Sequence, residues 1–338
     1  MQNKQVIYSK VPSEYLPVAG EHVTVEAREI KDSLDEGEVL VKTVLIGVDS
    51  WLRSRMRNPS IASYSSAFQL DEPLQGSIIG VVEASKNDRL TKGDVVHSGS
   101  GRFEQYSRLT AEQAKGLTVC HPSKGVSLTH YLGALDISGF TAYVGLLKYG
   151  KPKKGETLFV SAASGSVGQL VCQIGKLLGL RVVGTASSDE KLNYLRQTVD
   201  GVINYKTENV DARLSELCPD GIDIYYDNVG GHMLDHALTH ANSFCRVIAC
   251  GVLSEGNHEG IYNYRALISK RVTIHGFIVS DSMDMKDAFE RDVTEWLQQG
   301  KIQYRETVID GIDQVPTVLV DVLRGRVFGK AIVQVAQV

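Results

Sequence analysis

The chain has 338 residues, a formal net charge of −4 and five scattered cysteines. That length suggests two domains, and the mild acidity gives no reason to expect nucleic acid or an anionic membrane surface as a partner. No apolar run approaches the ~20 residues of a membrane span and residues 1–6 lack a signal-peptide core, so a cytoplasmic location is expected.

The first part of the chain, residues 1–125, reads as strands and turns. Residues 38–46 make the clearest strand, residues 76–82 a second, and Lys92-Gly93-Asp94 turns into a third. From about Tyr131 the texture changes to strands alternating with helices, the pattern of an α/β doubly wound parallel sheet. Its strands are read at 158–160, 181–185, 201–205, 222–226, 246–250 and 272–277. Residues 329–335 are again strand-like and are expected to return to the first domain. The resulting division is 1–125 with 305–338, and 126–304.

Residues 158–168, Leu-Phe-Val-Ser-Ala-Ala-Ser-Gly-Ser-Val-Gly, carry the most information. An apolar run enters a turn of small residues and a helix leaves it, with Val167, Leu170, Val171, Ile174, Leu177 and Leu178 on one face and Gly179 as its cap. Ala163, Gly165 and Gly168 fall on the three glycine positions of the dinucleotide fingerprint. Gly165 would let the backbone approach a pyrophosphate, and Gly168 would let the helix close on its strand. The free amides at the helix start would face the phosphates. NAD sites place an acid about 20 residues beyond the glycines. Here that stretch is Gly184-Thr185-Ala186-Ser187-Ser188, without a carboxylate. Ser187 and Glu190 read as a helix capping box, and Lys191 is a cation suited to a 2′-phosphate, so NADP is favoured.

Other chemistries find less support. The cysteines Cys120, Cys172, Cys218, Cys245 and Cys250 include no C-x-x-C pair and read as reduced thiols. His232, His236 and His240 share one helix face, but no Glu completes a zincin pattern, and a polar helix face is the simpler reading. There is no G-x-S-x-G elbow for a serine hydrolase.

Several blocks in order carry a resemblance along nearly the whole chain: residues 37–42, 138–143, 162–168, 204–207, 227–231 and 276–279. On these the chain resembles the medium-chain dehydrogenase/reductases. Within them it is similar to the zinc-free, NADPH-dependent 2-alkenal, prostaglandin/leukotriene and curcumin reductases. The resemblance implies a GroES-like β-rich catalytic domain beside a Rossmann nucleotide-binding domain. Where zinc-dependent relatives have a cysteine ligand this chain has Val48, and their Gly-His-Glu segment reads Gly76-Ser77-Ile78, so no metal is expected.

The same resemblance assigns residues. Thr141, Ala163, Gly165, Ser166, Val167 and Gly168 would meet the cofactor, with Lys191 and Tyr205 on its 2′-phosphate and adenosine ribose. Asn228, Cys250, Gly251, Val252, Phe277, Ile278 and Val279 would line the nicotinamide half. Tyr264 is the implied donor to the enolate oxygen, and Trp51 and Ser77 stand where relatives carry pocket tyrosines. An asparagine usual before Gly-Lys is replaced in Val327-Phe328-Gly329-Lys330. The implied activity is NADPH-dependent reduction of a C=C bond conjugated to a carbonyl, in a homodimer. A quinone reductase and a non-catalytic NADPH-binding protein are the alternatives.

Overall fold

The computed structural model describes residues 1–31, 33–254 and 260–337. It divides into two compact units, Ile137–Arg305 and the remainder, which comprises Met1–Asp136 and the segment from Glu306 onward.

The N-terminal part of the first unit contains β1 (Gln2–Tyr8), β2 (Val23–Glu29), β3 (Val39–Val48), β4 (Gln75–Ser85), β5 (Val95–Arg102), β6 (Tyr106–Leu109) and β7 (Thr118–Val119). The short helices α1 (Leu52–Arg55) and α2 (Ala111–Ala114) interrupt them. β3 is buried at nine of its positions because it lies at the centre of a sheet covered on both faces, which explains its unbroken apolar run. The 3-10 turn Leu128–Leu132 belongs to this unit, since Leu128, Tyr131 and Leu132 pack with Val44, Leu45 and Ile79. The compact division therefore falls after Asp136, later than the expected boundary at residue 125.

The second unit carries β8 (Thr157–Val160), β9 (Arg181–Ala186), β10 (Gly201–Asn204), β11 (Ile222–Asp227), β12 (Ala241–Ala249) and β13 (Thr273–Gly276). All pair in parallel in the order β10-β9-β8-β11-β12-β13. The order reverses between β8 and β11, and such a switch point leaves a crevice at the carboxyl ends of the strands. Its helices are α3 (Ile137–Val144), α4 (Gly168–Leu177), α5 (Asp189–Leu195), α6 (Val210–Leu217), α7 (Gly231–Thr239), α8 (Tyr264–Ser269) and α9 (Lys286–Gln298). Alternation sorts the two faces of the sheet. Leu158 and Val182 meet Gly175 of α4, whereas Phe159, Val183 and Tyr225 cluster with Leu214 of α6 and Leu238 of α7. Helices thus cover both faces, as a doubly wound sheet requires.

The chain then returns to the first unit through β14 (Glu306–Asp310), α10 (Val315–Leu323) and β15 (Lys330–Gln334). β15 pairs antiparallel with β3, as expected for the C-terminal stretch, and completes a mostly antiparallel sheet in the order β14-β15-β3-β4-β5-β7, with β6 also on β3. Among the described residues no helix is long and apolar enough to cross a membrane.

Candidate active site

The carboxyl end of β8 turns sharply. Ala162 adopts a left-handed φ of 47°, Ala163 N donates to Thr185 O at 2.9 Å, and Gly165 N donates to Ala162 O at 3.0 Å. α4 starts at once, with Gln169 N and Leu170 N donating to Gly165 O and Val167 O at 3.1 Å each, and the side chain of its N-cap residue Val167 supplies no capping bond. Gly168 is required by close approach. A Cβ there would lie 2.8 Å from Ala163 Cα and closer still to the Ala162 carbonyl oxygen. Ala163 stands at the first glycine position because the neighbouring strand yields instead. A Cβ on Gly184 would come within 2.6 Å of the Ala163 methyl. The turn therefore fits a dinucleotide pyrophosphate, in a cradle that side chains would fill. Gly168→Ala is expected to cost about 1–3 kcal/mol of stability through overpacking, measured by urea unfolding, and to weaken NADPH binding.

A hub at Asp227 binds the ends of three strands together. Its Oδ1 accepts from Tyr225 Oη at 2.8 Å, Gly230 N at 2.8 Å and Val229 N at 3.0 Å, while its carbonyl accepts from Cys250 N at 2.9 Å and Gly251 N at 3.1 Å. Asn228 completes the link to β8, with Nδ2 donating to Ser161 O at 2.8 Å and N donating to Ser161 Oγ at 2.9 Å. Burial pushes the Asp227 carboxyl upward, against the hydrogen bonds it accepts from Gly230, Tyr225, Val229 and Ser161. Asp227 carried no role in the sequence reading, although it opens the Asp-Asn-Val-Gly-Gly block; a buried acid ending an apolar strand is the signal that could have found it. Burial also pushes the Cys250 thiol up to about 12, so it is a neutral group just beyond β12.

Phe277 and Ile278 follow β13, and Val279 opens the 3-10 turn Val279–Met285. The Tyr149 ring, from the π-helical turn Gly145–Gly150, stacks on His275 with centroids 4.2 Å apart and tilts over Phe277 at 5.1 Å. The Thr141 carbonyl accepts from Tyr226 Oη at 2.8 Å. Val252 is exposed, as is Tyr264, the first residue of α8, at 63%.

Lys191 lies on α5 with its side chain largely buried, and Tyr205 and Lys206 follow β10. Burial lowers the Lys191 ammonium, and the nearby Lys206 charge lowers it further. Two cations held together beside a strand end without a carboxylate fit the 2′-phosphate of NADP. Lys206 was not singled out from sequence; its position directly after Tyr205 was the available signal. The expected capping box does not form. α5 begins at Asp189 behind Ser188, whose side chain makes no capping bond.

The histidine row of α7 is structural. His236 Nδ1 lies 2.9 Å and His240 Nε2 3.2 Å from Asp211 Oδ1 of α6, and His232 stacks on Tyr262. Among the described residues no three His, Cys, Asp or Glu side chains gather to hold a metal ion.

The other two predicted residues belong to the first unit. Trp51 precedes α1 and packs against the core that contains Leu52 and Met56, leaving Nε1 buried without a hydrogen-bond partner. Ser77, on β4, is buried, and its Oγ lies 2.9 Å from His97 Nε2.

Residues 166–294 match the family model of the zinc-binding dehydrogenases, and residues 6–117 that of the N-terminal domain of oxidoreductases. The chain is 38% identical to a 2-alkenal reductase (NADP(+)-dependent) of Nicotiana tabacum, over 100% of this chain and 98% of that protein. It is 35% identical to the NADPH-dependent curcumin reductase of Escherichia coli, over 89% of this chain and 88% of the relative. CurA from Vibrio vulnificus, solved in complex with NADPH, superposes with a TM-score of 0.89 at 33% identity, over 99% of this chain and 100% of that one.

Proposed function

The chain belongs to the medium-chain dehydrogenase/reductase family and is an NADP-dependent oxidoreductase, and we propose that it reduces the C=C bond of α,β-unsaturated aldehydes and ketones without zinc. The observation that carries the reading is the full-length likeness to the 2-alkenal reductase. The donor chemistry supports it. Val48 and Ser77 offer a metal neither thiolate nor imidazole at the two positions where zinc-dependent relatives place ligands.

NADPH supplies the hydride when bound. The small-residue turn that leads into α4 holds the pyrophosphate, and Lys191 with Lys206 holds the 2′-phosphate. Asp227 and Asn228 fix the strand ends that carry Cys250 and Gly251. Hydride addition at the β-carbon places negative charge on the carbonyl oxygen, and Tyr264 Oη donates a hydrogen bond to that oxygen. Trp51 brings bulk at a position where relatives have a tyrosine, and Ser77 a buried hydroxyl. The outer strand β13 is exposed along its length, the feature on which the expected homodimer would join.

The test follows NADPH consumption with a small enone, an enal and a quinone and identifies each product. A saturated ketone or aldehyde is expected. Quinol formation without enone turnover would assign a quinone reductase, and tight NADPH binding without any turnover would assign a non-catalytic role. Tyr264→Phe is expected to lower kcat on the enone about tenfold, the worth of one hydrogen bond to developing charge, with NADPH affinity unchanged by fluorescence titration.

A further inference from the structure

We propose that Tyr304 is a positioning residue for the cofactor's pyrophosphate, held in register by Gln169 and Gln173 of α4; this rests on the reading that the small-residue turn before α4 holds that group. Residues 303–305 end the second unit and lie against α4. Gln173 forms a two-bond ring with the backbone of Gln303, its Oε1 accepting from Gln303 N at 2.8 Å and its Nε2 donating to Gln303 O at 2.7 Å. Gln169 does the same with Arg305, its Oε1 accepting from Arg305 N at 2.7 Å and its Nε2 donating to Arg305 O at 3.1 Å. Both glutamines are buried, so these bonds are sheltered from water. They are also braced. Gln173 Nε2 donates to Gln169 O at 3.0 Å, and Tyr194 Oη of α5 donates to Gln169 Oε1 at 3.3 Å.

Spacing explains the match. Residues four apart on a helix rise by about 6 Å, and residues two apart in an extended chain by about 6.6 Å. One helix face can therefore grip alternate backbone units of an extended segment. Gln303 meets Gln173 and Arg305 meets Gln169, so the segment runs toward the start of α4.

This direction delivers Tyr304 to the turn, where its Oη donates to Ser166 O at 3.2 Å. A trans peptide is planar and points its carbonyl and its amide to opposite sides. Tying down the Ser166 carbonyl therefore turns the Val167 N–H the other way. Val167 N and Gly168 N make no hydrogen bond among the described residues, so nothing on the amide side anchors this peptide plane. The Tyr304 hydroxyl thus sets the direction of a main-chain donor in the turn. A donor already aimed at a phosphate oxygen makes a charge-assisted bond without reorganising.

Tyr304→Phe removes the hydroxyl and keeps the ring. By isothermal titration calorimetry it is expected to raise the Kd for NADPH, NADH and ADP-ribose alike, each by about three- to tenfold. The Kd for adenosine 2′-monophosphate, which carries the 2′-phosphate and no pyrophosphate, is expected to stay at the wild-type value. A tether that merely supports the fold would lower the urea midpoint and leave these four affinities in their wild-type ratios. The second measurement is amide hydrogen exchange at Val167. In the wild-type protein ADP-ribose is expected to slow it and adenosine 2′-monophosphate to leave it unchanged. Wild-type affinity for ADP-ribose in Tyr304→Phe, or an equal loss for all four ligands, overturns the assignment. If ADP-ribose leaves Val167 exchange unchanged in the wild type, the reading of the turn as the pyrophosphate site falls and takes this assignment with it. Slowed exchange in the wild type with an indifferent Tyr304→Phe overturns only the role of Tyr304.

Discussion

Lys330→Ala is expected to destabilise the protein by about 3–5 kcal/mol, the cost of leaving a buried charge without its partner. The Lys330 side chain is fully buried, its Nζ lies 2.5 Å from Asp49 Oδ1, and Asp49 is 5% exposed. Both sit in the central sheet region of the first unit, Lys330 at the start of β15 and Asp49 just beyond β3. Without the ammonium, the Asp49 carboxylate loses the charge beside it and has little access to water, while Glu306 and Asp136 lose the cation whose field favours their ionised forms. The measurement is a urea unfolding curve, with a lower midpoint at unchanged slope as the expected result. Replacing both partners by apolar residues, Lys330→Met with Asp49→Leu, is expected to recover most of the loss, because desolvation largely cancels the attraction within a buried pair. A Lys330→Ala midpoint equal to wild type would mean that water reaches the pair and that it contributes little.

The pair also shows where sequence stops being informative. Asp49, Ser77, His97, Asp136 and Lys330 come from five separate stretches, and no period or spacing links them. The pairing of β3 with β4 and β15, and of β4 with β5, brings the stretches of Asp49, Ser77, His97 and Lys330 together, and Asp136 follows the 3-10 turn Leu128–Leu132 that packs on β3 and β4. The parallel sheet was far more legible. Strands covered on both faces must be apolar throughout, and Phe159-Val160, Val182-Val183 and Ile224-Tyr225-Tyr226 are. The start of β12 was missed for the same reason. Asn242, Ser243 and Phe244 are partly or fully exposed, so the strand shows no continuous apolar run before Cys245. At the nucleotide turn, Ala163 departs from the glycine pattern, and the compensating Gly184 is on another strand. The false capping box at Ser187 reflects a one-residue ambiguity between adjacent serines, which composition cannot resolve.

The proposed contact of the lysine pair with the 2′-phosphate makes cofactor choice the second large expected effect. Lys191→Ala should raise the Kd for NADPH about 10- to 100-fold, the worth of a charge-assisted bond to phosphate, and leave the Kd for NADH unchanged. Lys206→Ala should act in the same direction but less, because Lys206 is exposed and its ammonium is screened by salt. The double variant should lose most of the preference for NADPH, since no carboxylate at the end of β9 favours NADH in its place. The pH dependence has a definite sign. Lys191 must be charged to hold a phosphate, and burial together with Lys206 lowers its ammonium below the ordinary lysine value. NADPH affinity should therefore fall at a lower pH than an ordinary lysine would dictate, as the proton is lost with rising pH, while NADH affinity does not follow. Phosphate binding in turn favours the charged ammonium, so the loss in the complex should move to higher pH than in the free protein. Fluorescence titration of both nucleotides across alkaline pH checks this directly. Equal losses for NADH and NADPH in Lys191→Ala would place the lysine in the structural support of α5 instead of on the 2′-phosphate.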